Sequence, residues 1–228
     1  MYKNMPVVYI SGGTGYIGSR LIRVLLQKKF SVLALVRQGS ETKLPAGARG
    51  IIADPFLPES FVSTIPAGCT FVHLLGVPHP GPKKKDLFRT IDLASAKASA
   101  TAASEAAAAQ FVYISVAQTP TKIMKDYQEC RAECEAFIKA TGIAATFIRP
   151  WYVVGPGHYW PLFFLPLFKI LEWIPATAEK AKALRLVSIR QLLQTLVFVI
   201  EHPTNELRII EIEGIRKVNH ESGEVLAD

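Results

Sequence analysis

The sequence predicts a doubly wound α/β fold, a parallel sheet with helices on both faces, and three observations carry that prediction. Short apolar runs rich in β-branched residues recur along the first two thirds of the chain. Segments with helical apolar spacing alternate with them. The runs are continuously apolar, as strands buried on both faces are, where a half-exposed strand would alternate. With 228 residues, half of them hydrophobic and one-fifth charged, the chain has the size and composition of one compact globular domain.

Residues 6–10 form the first strand, and the apolar spacing of Ile17, Leu21, Ile22, Leu25 and Leu26 forms the first helix. Strands follow at 31–36, 50–53, 70–75 and 110–115. The alanine-rich run from Ala94 to Ala109 is helical, and its small side chains let it lie close to a sheet. Asp126 to Thr141 is the next helix, stopped by Gly142, and residues 144–148 are the sixth strand. Residues 187–201 read as a helix and 207–212 as a late strand. Residues 1–157 form the nucleotide-binding core, and 158–228 a small substrate-side extension or lid packed on it within one compact domain.

The segment Trp160 to Ile174 is strongly apolar, but Pro161 and Pro166 interrupt it and it carries Lys169 and Glu172. It falls short of the roughly twenty apolar residues that a bilayer span requires. A packed or dimer-forming helix, a hydrophobic lid over a substrate pocket, and peripheral membrane contact through 160–174 all remain open for it. The chain is expected to be a monomer or a homodimer.

The formal charge of +7 raises nucleic acid as a partner. The basic residues are dispersed, only Lys83, Lys84 and Lys85 cluster, and neither an aromatic-interleaved basic stripe nor a zinc spacing accompanies them. No nucleic-acid partner is expected, although general basicity favours the approach of a polyanionic cofactor. Cys69, Cys130 and Cys134 are odd in number with no secretory pattern before them. They are expected to be reduced, buried packing residues of a cytoplasmic protein.

The chemistry is concentrated near the start. Gly12, Gly13, Thr14, Gly15, Tyr16, Ile17 and Gly18 follow a strand and open an amphipathic helix. Gly12 suits the tight turn, Gly15 the approach of backbone to a diphosphate, and Gly18 close packing of helix on strand. Amides at the helix start then meet the phosphates, the Rossmann arrangement for a dinucleotide. At the end of the second strand, Arg37 stands where an acid would bind the ribose 2′-hydroxyl of NAD, and no acid follows until Glu41. An arginine there suits the 2′-phosphate, so NADP is the expected cofactor and NAD the second choice.

With these motifs the chain resembles the extended and atypical short-chain dehydrogenase/reductases, whose neighbours include sugar-nucleotide epimerases, flavin reductase-like proteins and NmrA-like regulators. The resemblance spans about residues 6–157 and continues through Asp54, which it implies at the adenine amine. It implies further cofactor contacts at Leu74, Leu75 and Gly76 after the fourth strand, and at Pro150, Tyr152 and Val153 after the sixth. The family's catalytic serine, tyrosine and lysine correspond to Ser115, Tyr127 and, in place of lysine, Arg131. Tyr127 and Arg131 lie one helical turn apart and share a face. Glu135 follows at a spacing found in atypical members.

Two readings of this triad are open. In one, Tyr127 donates a proton, Ser115 orients a carbonyl, and Arg131 holds the ribose and lowers the tyrosine pKa. In the other, the arginine has cost the protein its chemistry, and Tyr127 only contacts the nicotinamide end. His79 and His158 flank the pocket mouth, where solvation or packing is the simpler role. Trp151, Tyr152, His158 and Tyr159 offer an aromatic wall to a nicotinamide or an apolar substrate. Zinc clusters and a nucleophile elbow are absent from the sequence. The expected activity is therefore an NADP-dependent oxidoreductase acting on a small or medium apolar carbonyl or alcohol. A non-catalytic NADP-binding regulator is the competing reading. An epimerase or dehydratase comes third, because such enzymes carry a longer carboxyl-terminal domain.

Overall fold

A computed structural model describes residues 6–119, 121, 124–159 and 185–221. The chain begins with β1 (Val7–Ser11), α1 (Tyr16–Gln27), β2 (Ser31–Val36), β3 (Arg49–Ile52) and β4 (Thr70–His73). A single turn, α2 (Lys85–Leu87), leads through a π-helical run, Phe88–Leu93, into α3 (Ala94–Glu105). Then come β5 (Gln110–Ile114), α4 (Lys125–Ala140), β6 (Ala145–Arg149) and β7 (Val153–Val154). After the undescribed stretch, β8 (Val187–Ser188), α5 (Ile189–Glu201), β9 (Arg208–Glu211) and α6 (Ile212–Glu221) complete the order.

Seven strands form one sheet in the order β3-β2-β1-β4-β5-β6-β9, and every pairing is parallel. The doubly wound α/β expectation holds. Alternation along β1 explains the two layers. Val8 and Ile10 face the α1 side with Leu21, Leu192 and Leu196, while Tyr9 faces the α3 and α4 side with Phe71, Phe111 and Phe147. α3 lies close on that second face, as its small residues allow: Ala96, Ala100, Ala102 and Ala103 are fully buried.

Residues 187–221 complete the nucleotide-binding sheet. β8 pairs with β7, the apolar face of α5 packs into the α1-side core, and β9 extends the sheet beyond β6. α6, which the sequence pattern does not announce, begins where β9 ends, because Ile212 and Ile215 continue the buried surface. A capping box at Ser188 and Gln191 fixes the start of α5. The apolar segment 160–174 lies outside the described residues, as do the roles open to it. Among the described residues no helix is long and apolar enough to cross a membrane. Cys69, Cys130 and Cys134 are free and buried, as expected.

Candidate active site

The turn after β1 is set by contact between two backbones. Gly12 has φ +80°, and a Cβ there would lie 2.6 Å from the Leu74 carbonyl carbon and the Leu75 nitrogen. A Cβ on Gly18 would overlap the Gly12 carbonyl, so the first turn of α1 packs directly on the loop. Gly13 has a different part, because its Cα faces Ile22 and Ala34 in the core. Gly15 is the N-cap of α1, has no side chain with which to cap it, and is followed by no acid in the first turn. The helix therefore presents open amides and the positive end of its dipole. Arg20 adds a full charge nearby, 4.0 Å over the Tyr16 ring.

This end of α1 opens into a cavity of about 310 Å³ at the carboxyl ends of the central strands. Its walls are Gly12 and Gly15 to Gly18, the β4 loop from His73 to Pro80, Ile114 to Val116 after β5, Tyr127 and Arg131 of α4, and Pro150 to Val153 after β6. Most of the predicted site residues meet here: Gly12, Gly15, Tyr16, Ile17, Gly18, Leu74, Leu75, Gly76, Ser115, Tyr127, Arg131, Pro150, Tyr152 and Val153. Gly13, Thr14, Arg37 and Asp54 do not line it. Arg37 is exposed just past the end of β2. Asp54 is exposed beyond β3, where its carboxylate accepts from the Phe56 amide at 2.9 Å.

Four buried polar atoms of lining residues have no hydrogen-bond partner among the described residues: Ser115 Oγ, Tyr16 OH, His73 Nε2 and Arg131 Nε. Buried polar groups are seldom left in that state, and a ligand in the cavity would satisfy them. Together with the glycine cradle and the uncapped helix, they fit a pyridine dinucleotide with a polar substrate group beside it.

Tyr127 packs on Phe88, with ring centroids 5.0 Å apart, and the Arg131 guanidinium lies 5.0 Å from its ring centre. Burial pushes the Tyr127 hydroxyl above its ordinary value, and Arg131 opposes that shift without reversing it. Arg131 reaches past the tyrosine. Its Nη1 donates to Tyr113 OH at 2.9 Å and to the Ile114 carbonyl at 3.2 Å, and its Nη2 to Asp92 Oδ1 at 2.5 Å. Glu135 is also engaged, holding Arg149 Nε at 2.9 Å, while Arg149 Nη1 reaches Glu211. It braces α4 to β6 and β9.

One further residue of this region, Asp92, escapes the sequence reading, and His73, at the head of the loop after β4, is buried. Asp92 is fully buried. Its signal is present in the sequence, since it falls at helical spacing between Phe88 and Ala96 on an otherwise apolar face. His73 is buried beneath the glycine loop, its Nδ1 2.8 Å from Ser11 Oγ and 3.1 Å from Ser99 Oγ. At the mouth, His79 and His158 stack at 4.5 Å, and His158 also lies against Tyr16 at 4.8 Å. Burial lowers the His158 pKa, with His79 and Arg20 adding to the effect.

Fold and site together define a dinucleotide-binding protein of the Rossmann type. The chain belongs to the NAD(P)H-binding family, whose model matches residues 12–155. It is 23% identical to the ceramide reductase of Caulobacter vibrioides (strain NA1000 / CB15N), a similarity covering 96% of this chain and 68% of that protein. Among solved structures it is similar to MoeE5 in complex with UDP-glucose and NAD, at 18% identity and a TM-score of 0.68 over 90% of this chain and 75% of that one. It is also similar to WbmH of Bordetella bronchiseptica in complex with NAD+, at 17% identity and a TM-score of 0.67 over 93% and 78% of the two chains. These structural similarities show the shared fold.

Proposed function

We propose that the protein is an NADP(H)-dependent oxidoreductase that interconverts a small or medium, largely apolar carbonyl compound and its alcohol. The observation that carries this reading is that Ser115 and Tyr127 share the wall of the cavity into which the glycine loop opens. Amides of the β1–α1 turn would hold the diphosphate, Arg37 the ribose 2′-phosphate, and Pro150 to Val153 the nicotinamide end. When bound, the nicotinamide supplies or accepts a hydride. In the reductive direction Tyr127 donates its phenolic proton to the carbonyl oxygen and Ser115 Oγ orients that oxygen by hydrogen bonding, so C=O becomes CH–OH. Val77, Met124 and Trp151 add apolar surface to the wall, which suits an apolar substrate body. A relative named as a reductase supports the reaction class.

The test is oxidation of NADPH across a panel of aldehydes, ketones and quinones. Tyr127→Phe should lower any such rate about a hundredfold or more, while NADPH affinity stays within about twofold. One observation favours a second reading, a redox sensor that binds NADPH without turnover: the Arg131 Nη groups are committed to Asp92, Tyr113 and Ile114. Binding with no turnover anywhere in the panel would assign the protein to that class. Cofactor choice is tested separately. Arg37→Ala should weaken NADPH about tenfold or more, through loss of a charge-assisted contact, and leave NADH nearly unchanged. Equal losses for both would remove the 2′-phosphate assignment.

A further inference from the structure

Asp92 lies in the π-helical run between α2 and α3, and donors converge on both of its carboxylate oxygens. Arg131 Nη2 meets Oδ1, and the Val77 amide meets Oδ2 at 3.1 Å. Only a carboxylate accepts on both sides, because an asparagine amide would turn N–H groups toward one of the two donors. The pair is enclosed. A Cβ on Gly76 would lie 2.8 Å from Arg131 Nη2 and 2.9 Å from Asp92 Oδ1, so the β4 loop rests on it as bare backbone. Cys130 Sγ donates to the Phe88 carbonyl at 3.1 Å and ties α4 to the same run. Tyr113 and the Ile114 carbonyl hold the guanidinium from the β5 side. Among the described residues nothing accepts a hydrogen bond from Arg131 Nε, which is buried.

We propose that Asp92 is a positioning residue for Tyr127: its carboxylate fixes the Arg131 guanidinium and cancels part of the charge that the tyrosine meets. This rests on Tyr127 being the proton donor. A lone cation at this distance stabilises phenolate, whereas an ion pair with no net charge stabilises it much less. Asp92 thus keeps Tyr127 in the protonated form, the form that can donate to a carbonyl. It also couples the β4 loop to α4 through Val77, so cofactor loop and proton donor are held by one buried carboxylate.

The ionisation of Tyr127 reports this directly and needs neither substrate nor turnover. In the full chain labelled with tyrosine carrying 13C at Cζ, the Tyr127 resonance is assigned by its loss in Tyr127→Phe and followed against pH. Asp92→Asn is expected to bring the midpoint down by about one pH unit, because the guanidinium is left uncompensated. Should that variant unfold, Asp92→Asn combined with Arg131→Met removes both charges and leaves neither buried alone. Its midpoint is expected within about half a unit of wild type. A folded Asp92→Asn variant with the wild-type midpoint overturns the proposal. A double variant whose midpoint rises by a full unit or more does the same, since it would show that Arg131 acts uncompensated. A chain that oxidises NADPH through Tyr127 but whose Tyr127 midpoint ignores Asp92 refutes this inference alone. Absence of turnover with a midpoint that follows Asp92 refutes the oxidoreductase reading, and leaves Asp92 as the group that sets the ionisation of Tyr127 without a proton-donor role for either.

Discussion

Gly12→Ala is expected to abolish measurable NADPH and NADH binding and to cost about 2–5 kcal/mol of stability, the sum of backbone strain and overpacking. Two independent penalties fall on the same methyl group. The backbone at φ +80° disfavours any L side chain, by about 1–2 kcal/mol. The new Cβ would then lie 2.6 Å from main-chain atoms of Leu74 and Leu75, an overlap that costs about 1–3 kcal/mol where it can relax. Relaxation is hindered because the Leu74 amide is bonded to the Ser11 carbonyl at 2.9 Å, continuing the β1–β4 ladder. Moving either backbone displaces the amides that face the cavity. Gly39→Ala separates the two effects, since Gly39 has φ +79° and a methyl group added there would meet nothing within 4 Å. It should lose only about 1 kcal/mol, the strain alone. Urea denaturation and calorimetric titration with both reduced dinucleotides measure these outcomes. Wild-type affinity in a folded Gly12→Ala protein would detach the turn from cofactor binding.

The parts of this molecule that are legible in the sequence are those whose signal is local. Parallel strands buried on both faces read as unbroken apolar runs, so the six strands through β6 emerge close to their observed bounds. The fourth ends at His73 and not at Leu75, because after the Leu74 amide bonds Ser11 the chain turns away along the cavity. The glycine loop carries its own context, a strand before and an amphipathic helix after. Contacts distant in sequence leave no such trace. Nothing in residues 207–212 states that they join the sheet beside β6. The meaning of Arg131 depends on Asp92, thirty-nine residues earlier. Read alone, Arg131 is a lysine substitute for the ribose. Its side chain reaches a buried carboxylate behind Tyr127, and the Gly76 backbone is what leaves room for it.

Acid should destabilise the protein through His73, and the size of that loss follows from where the ring is buried. Desolvation lowers its pKa from the ordinary 6.5 to about 3, and the nearby Arg131 charge pushes the same way. Above pH 6.5 neither folded nor unfolded chain protonates this ring, so its contribution is fully present. As pH falls below 6.5 the unfolded chain binds a proton that the folded chain refuses until about pH 3. Stability therefore declines by about 1.4 kcal/mol per pH unit across that window, approaching 3 kcal/mol by pH 4.5. Carboxylates also titrate there, so the diagnostic quantity is a difference of slopes. His73→Gln cannot titrate. Its unfolding free energy, read from urea curves between pH 7.5 and 4.5, should fall less steeply than that of wild type by about that amount. Parallel slopes would mean that the imidazole accepts its proton in place, and that the ground beneath the glycine loop tolerates a charge. The loop would then face a bound diphosphate with an adjustable cation behind it, on a ring whose Nδ1 lies within hydrogen-bond reach of Ser11 and Ser99.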